Sequence, residues 1–179
     1  MIMNKDIERI LFTAEELADK TTELGRRISE DYAGLDFMVL CILKGSFIFT
    51  SDLIRNITLP CEVNFMAVSS YKNSTVSGAV EITKDLDVPV DNKHIIIAED
   101  IIDSGKTLSY IMNYLKTRHA ASVEVCALFD KPCRRNVDIA ARYTGFVIPD
   151  EFVVGYGLDY AEHYRNLPYL GVLKNGLDK

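Results

Sequence analysis

The stretch His94-Ile-Ile-Ile-Ala-Glu-Asp-Ile-Ile-Asp-Ser-Gly-Lys-Thr-Leu108 constrains this chain most, because an apolar run gives way to three carboxylates and then a small-residue turn into a helical pattern. Residues 95–98 are unbroken, mostly β-branched and without polar alternation, the pattern of a strand buried on both faces of a parallel sheet. The expected order is strand, acidic loop, helix. In an open α/β sheet, ligands bind at the carboxyl ends of the strands, and a glycine-containing turn before a helix leaves backbone N–H groups free to hold a phosphate. Lys106 and Thr107 add a cation and a hydroxyl there. Glu99, Asp100 and Asp103 crowd five positions, which is unfavourable beside a phosphate unless a cation or a positively charged reaction centre intervenes. A hard cation such as Mg2+, shared between carboxylates and substrate oxygens, resolves the conflict; a solvated acidic turn is the alternative.

The tail of this motif invites comparison with the P-loop, Gly-x-x-x-x-Gly-Lys-Ser/Thr, but that pattern needs glycine where this chain has Asp100. Backbone amides wrap polyphosphate in a P-loop, and carboxylates at these positions repel it. The loop is therefore expected to cradle one phosphate and to turn its acids toward something else.

The rest of the chain reads as one α/β unit. Thr13-Ala-Glu-Glu16 has the form of a capping box after a short lead-in at residues 6–12, and Leu17, Thr21, Leu24, Ile28 and Tyr32 recur at helical spacing behind it. Phe37-Met-Val-Leu-Cys-Ile-Leu43 is a second continuous apolar strand, ending at Lys44-Gly-Ser46 before another helix. Lys44 brings charge and Gly45 permits close approach, although such a turn is often only a turn. Strands are expected over 62–68 and 79–83, joined by a polar, small-residue segment at 69–78 that is too long for a tight hairpin. After a helix from Thr107, residues 122–129 form the next strand, and Lys131 stands beyond it at the same sheet edge as the acids. Residues 143–148 and 152–154, with Gly155 and Gly157, complete a smaller C-terminal unit.

Composition closes off other classes. The 179 residues are 48% hydrophobic and carry net charge −6, which suits a single globular domain and makes nucleic acid or an anionic membrane an unfavourable principal partner. Cys41, Cys61, Cys126 and Cys133 are dispersed without Cys-x-x-Cys and read as reduced thiols. His94, His119 and His163 lack metal-ligand spacing. With no signal-peptide pattern and no membrane-length apolar run, a cytoplasmic location is the expectation.

Glu99-Asp-Ile-Ile-Asp-Ser-Gly-Lys-Thr107 resembles the phosphoribosyl pyrophosphate signature of the type I phosphoribosyltransferases, in the version of their hypoxanthine-guanine members. Leu43-Lys-Gly-Ser46, Ser70-Tyr71, Lys131, Asp150-Glu-Phe-Val-Val-Gly-Tyr-Gly-Leu-Asp-Tyr160 and Arg165 match that family in order and spacing. Ser104 stands where many relatives have threonine, so the hydroxyl is retained. The resemblance implies a Rossmann-like parallel core at about 35–140 and a hood from about 143–179 with the N-terminal lead-in. It makes 69–78 a lid, with Ser70 and Tyr71 closing over the reacting centre to exclude water.

The roles it implies follow residue by residue. Lys44, Gly45 and Arg165 hold pyrophosphate; Glu99 and Asp100 hold ribose hydroxyls and hydrated Mg2+; Ser104, Gly105, Lys106 and Thr107 bind the 5-phosphate. Asp103 is the general base, Lys131 donates to the exocyclic oxygen of a 6-oxopurine, Phe152 stacks on the base and the Val153 backbone reads its edge. Asp159 lies near the purine and a second metal position, although a surface ion pair with Arg165 is the plainer reading. The implied reaction transfers phosphoribosyl to hypoxanthine or guanine, in a homodimer or homotetramer. A phosphoribosyl-pyrophosphate-sensing regulator and a P-loop-like nucleotide hydrolase remain the alternatives.

Overall fold

The computed structural model describes residues 5–70, 80–174 and 176, without the Ser70 side chain. The chain runs β1 (Ile7–Phe12), α1 (Ala14–Asp31), β2 (Phe37–Leu43), α2 (Phe47–Asn56), β3 (Glu62–Ser70), β4 (Val80–Lys84), β5 (His94–Ile102), α3 (Lys106–Thr117), β6 (Ser122–Asp130), β7 (Tyr143–Val147), β8 (Val153–Val154) and β9 (Leu170–Leu173), with a 3-10 turn at Pro132–Arg134. Six strands form one sheet in the order β4-β3-β2-β5-β6-β7, parallel except for the β3–β4 pair, and β1-β9-β8 form a small antiparallel sheet.

The two apolar runs lie side by side at the centre, Phe37 opposite His94 and Cys41 opposite Ala98. Their residues alternate between two buried faces. Val39, Ile96 and Ala98 pack with Leu17, Leu24 and Ile28 of α1 and Phe49 and Leu53 of α2, whereas Met38, Leu40, Ile95 and Ile97 pack with Leu108, Ile111 and Leu115 of α3. Each Val, Leu, Ile, Phe or Met side chain among them contributes about 1.5–3 kcal/mol through removal from water, which is why these strands carry no polar alternation. Helix α1 begins where its sequence says. The Glu16 N–H donates to Thr13 Oγ1 at 3.3 Å, and the Thr13 N–H donates to Glu16 Oε2 at 2.8 Å.

Three expectations change. The acidic segment is not a loop throughout: β5 continues to Ile102, with Glu99 opposite Ala127 and Ile102 opposite Asp130, because β6 offers ladder partners that far and Ile101 and Ile102 keep the strand apolar. The lead-in is itself a strand, pairing with β9, which the sequence reading had not separated. Near residue 152 only Val153 and Val154 are strand. No helix among the described residues is long and apolar enough to cross a membrane, and all four cysteines are free.

Candidate functional site

Strand order locates the site. From β2 the sheet grows through β3 in one direction, and from β5 through β6 in the other, so the order reverses between β2 and β5. A crevice opens outside the carboxyl ends of strands at such a point. The turn after β2 and the turn after β5 both end there.

The turn after β5 is shaped for a small anion. Gly105 caps α3 with φ +79, and a Cβ there would lie 2.6 Å from Ile139 Cγ2 and 2.9 Å from Val137 Cγ2. Only glycine fits that backbone and that packing. The Asn136 N–H donates to the Ser104 carbonyl at 3.0 Å and braces the turn from behind. In front lies a hollow of about 100 Å³, lined by Glu99, Asp103, Ser104, Gly105 and Thr107 among others, at the amino end of α3 where backbone donors lack helical partners. Lys106 opens the helix with an exposed side chain and does not line this hollow.

Glu99 and Asp100 lie deeper. Glu99 Oε2 is buried without a hydrogen-bond partner, and burial, followed by the neighbouring Asp100 charge, pushes its carboxyl well above the usual range. Asp100 is 7% exposed, and burial pushes it up to about 6 although the Ile101 N–H donates to its Oδ1 at 2.8 Å. Gly45 lies directly against it. A Cβ on Gly45 would fall 1.8 Å from Asp100 Oδ2, and a Cβ on Gly157, at φ +102, would fall 2.1 Å from the Gly45 carbonyl oxygen. The Leu43–Lys44 peptide preceding Gly45 is cis. Two adjacent carboxyls with raised proton affinity and one orphaned oxygen are what a divalent cation would relieve, with water or substrate oxygens completing its shell. Among the described residues no group of three His, Cys, Asp or Glu side chains stands ready to hold a metal, so Glu99, Asp100 and Asp159 form no protein-only cage.

Asp159 is engaged elsewhere. Arg165 Nη2 lies 2.9 Å from Asp159 Oδ1 and 3.2 Å from Glu162 Oε2, while Nη1 donates to the Gly157 carbonyl at 2.8 Å. Arg165 Nε is buried without a partner. Lys44 Nζ lies 2.9 Å from Glu162 Oε1.

A larger cavity of about 490 Å³ opens beside these groups, lined by Asp103, Lys131, Arg134, Asp150, Phe152 and Val153, with Glu8, Val172 and Leu173 from the small sheet. Lys131 is 7% exposed and donates from Nζ to the Glu151 carbonyl at 2.6 Å. Phe152 is 42% exposed and meets Tyr160 edge-on, with ring centroids 5.6 Å apart. Asp103 Oδ1 lies 3.0 Å from Arg134 Nε, and Arg134 Nη1 lies 3.2 Å from Asp150 Oδ1. One guanidinium thus ties the turn after β5 to the segment after β7.

Ser70 ends β3 opposite Val80, whereas Tyr71 and the rest of the expected lid lie outside the described residues. Arg134, Glu162 and Glu8 were missed by sequence reasoning. For Arg134 a signal existed in its place just beyond β6, beside Lys131; for Glu162 the folded turn alone supplies it.

The phosphoribosyl transferase domain family matches residues 9–161. The chain is 51% identical to the hypoxanthine-guanine phosphoribosyltransferase of Bacillus subtilis, with 97% of each protein covered. It is also 51% identical to the bifunctional protein TilS/HprT of Listeria monocytogenes, covering 96% of this chain and 27% of that much longer relative. A hypoxanthine phosphoribosyltransferase crystal structure from Staphylococcus aureus superposes with TM-score 0.93 at 47% identity, covering 97% of this chain and 95% of that one. The family match spans most of the chain, the strands it spans build the crevice just described, and the protein belongs to the phosphoribosyl transferase family.

Proposed function

We propose that the protein transfers phosphoribosyl from phosphoribosyl pyrophosphate to hypoxanthine or guanine, giving IMP or GMP and pyrophosphate. One observation carries the reading: Asp103, Lys131 and Phe152 line one cavity beside the crevice that holds the half-buried Glu99, the buried Asp100 and the phosphate-sized turn. A ring nitrogen of the purine forms the new bond to C1 of the sugar as the C1–oxygen bond breaks and its electron pair leaves with pyrophosphate. Positive charge grows on the ribose, and Glu99 and Asp100 stabilise it while holding the ribose hydroxyls. Asp103 accepts the proton at purine N7. Lys131 donates to the exocyclic oxygen at the six-position, so adenine, which presents an amino group there, is rejected. Phe152 stacks on the ring and the Val153 backbone reads its edge. The 5-phosphate rests on Ser104, Gly105 and Thr107, with Lys106 adding charge at the helix start, and Lys44, Gly45 and Arg165 take the pyrophosphate. Glu99 and Asp100 would hold Mg2+ through water, with Asp159 near a second position, and the cation would supply charge neutralisation to the diphosphate.

The same reading makes the chain one domain, the small sheet a hood over the base, the segment containing Ser70 and Tyr71 a lid, and the assembly a cytoplasmic homodimer or homotetramer. The test is a spectrophotometric assay with phosphoribosyl pyrophosphate, Mg2+ and each of hypoxanthine, guanine, xanthine and adenine. Monophosphate formation from the 6-oxopurines but not from adenine is expected. Donor binding without turnover of any base would replace the enzyme with a sensor of phosphoribosyl pyrophosphate, and hydrolysis of ATP or GTP indifferent to Asp103 would replace it with a nucleotide hydrolase.

A further inference from the structure

Glu162 spans the two cations that the preceding reading gives to the leaving group, and the inference rests on that reading. Its Oε1 takes Lys44 at 2.9 Å and its Oε2 takes Arg165 at 3.2 Å, so one carboxylate bridges charges from two separate segments. The local backbone keeps it there. Ala161, Glu162 and Tyr164 have φ of 50, 65 and 74, in the left-handed region that side-chain-bearing residues seldom enter. Such conformations cost free energy and persist where the surroundings over-determine them. Here the Glu162 N–H donates to Asp159 Oδ2 at 2.9 Å, and Tyr160 and His163 close the turn with backbone bonds of 3.2 and 3.0 Å.

We propose that Glu162 is an internal stand-in for the departing diphosphate: its carboxylate occupies Lys44 and Arg165 in the ligand-free protein, and pyrophosphate binds by displacing it. A diphosphate wins because it carries more charge and more oxygens for the same two cations. The competition lowers apparent affinity by the fraction of molecules in which the cations are already taken, and it speeds product release by refilling them.

Glu162 and Lys44 are 64% and 68% exposed, so each ion pair is weak and the expected effect is modest. Calorimetric titration of inorganic pyrophosphate, with and without Mg2+, is expected to give about three- to tenfold tighter binding to Glu162→Gln than to wild type. Glu162→Asp keeps the charge but is too short to span both cations, and it should fall between them; it also serves if the glutamine variant fails to fold. Unchanged or weaker pyrophosphate binding in the folded variants would overturn the stand-in role alone. A wild type that binds neither pyrophosphate nor phosphoribosyl pyrophosphate would overturn the transferase reading instead.

Discussion

Glu99, near the end of β5, and Asp103, in the turn that follows it, live in opposite electrostatic surroundings. Glu99, with Asp100 beside it, is drawn into the sheet edge, where one oxygen has no partner and burial raises both carboxyls. Asp103 lies past the last ladder pair of β5, has a side chain 51% exposed and already has a guanidinium at 3.0 Å. One acidic motif therefore contains two kinds of carboxylate: a pair at the sheet edge, Asp100 buried and Glu99 half-buried, whose charge calls for a cation, and an accessible one on the wall of the larger cavity. Separated environments are how neighbouring acids take separate tasks.

The contrast breaks most severely if Asp103 proves dispensable. Asp103→Asn is expected to lower turnover of hypoxanthine on the order of 10²–10⁴-fold, with donor affinity changed less than about threefold. Single-turnover rates and donor titration measure the two separately, and equal losses in both would move Asp103 from proton transfer to binding.

The buried Asp100 makes a prediction about stability. Asp100 moves from an ordinary value of 3.8 to about 6 on folding, so between those pH values the native state holds more protons than the unfolded chain. Its contribution is therefore full below the unfolded value, falls as pH rises through the window and is level above it. A shift of roughly two units at about 1.4 kcal/mol each corresponds to about 3 kcal/mol. Urea unfolding from about pH 4 to 7 should show Asp100→Asn gaining up to about that much on wild type across the window. Parallel curves would mean that the acid is not desolvated.

Lys131 sharpens the comparison from the base side. Lys131→Ala should reduce kcat/KM for guanine and hypoxanthine by about 10- to 100-fold, because the six-oxygen loses its buried donor, with little further loss for adenine. Competition assays over the bases read this directly. The smallest effect belongs to Arg134. Its pairs with Asp103 and Asp150 are half-exposed, so Arg134→Ala should leave the urea midpoint nearly unchanged and lower turnover by less than about fivefold. A loss as large as that of Asp103→Asn would make Arg134 part of the proton-transfer apparatus.

Features set by neighbours in sequence were legible, and those set by neighbours in space were not. The capping box at Thr13 and Glu16 and the apolar run of β2 stand as read, because each is a local pattern with a local cause. The extent of β5 through Glu99 and Asp100 needed β6 as a ladder partner, and the pairing of β1 with β9 joins the two ends of the chain. Gly45 was singled out for close approach, and only the folded chain shows what approaches it: the Asp100 carboxylate, which leaves no room for a Cβ.

The sequence by itself determined that an α/β sheet ends in a motif crowded with acids and hydroxyls, and that its glycines and lysines suit phosphates. Side-chain type and spacing along one strand suffice for that. Only the tertiary structure decided which acids are buried, that Glu162 reaches both Lys44 and Arg165, and that Arg134 meets Asp103. Burial and charge pairing depend on distances between segments far apart in the chain, and those distances exist only once the sheet and its connections have packed.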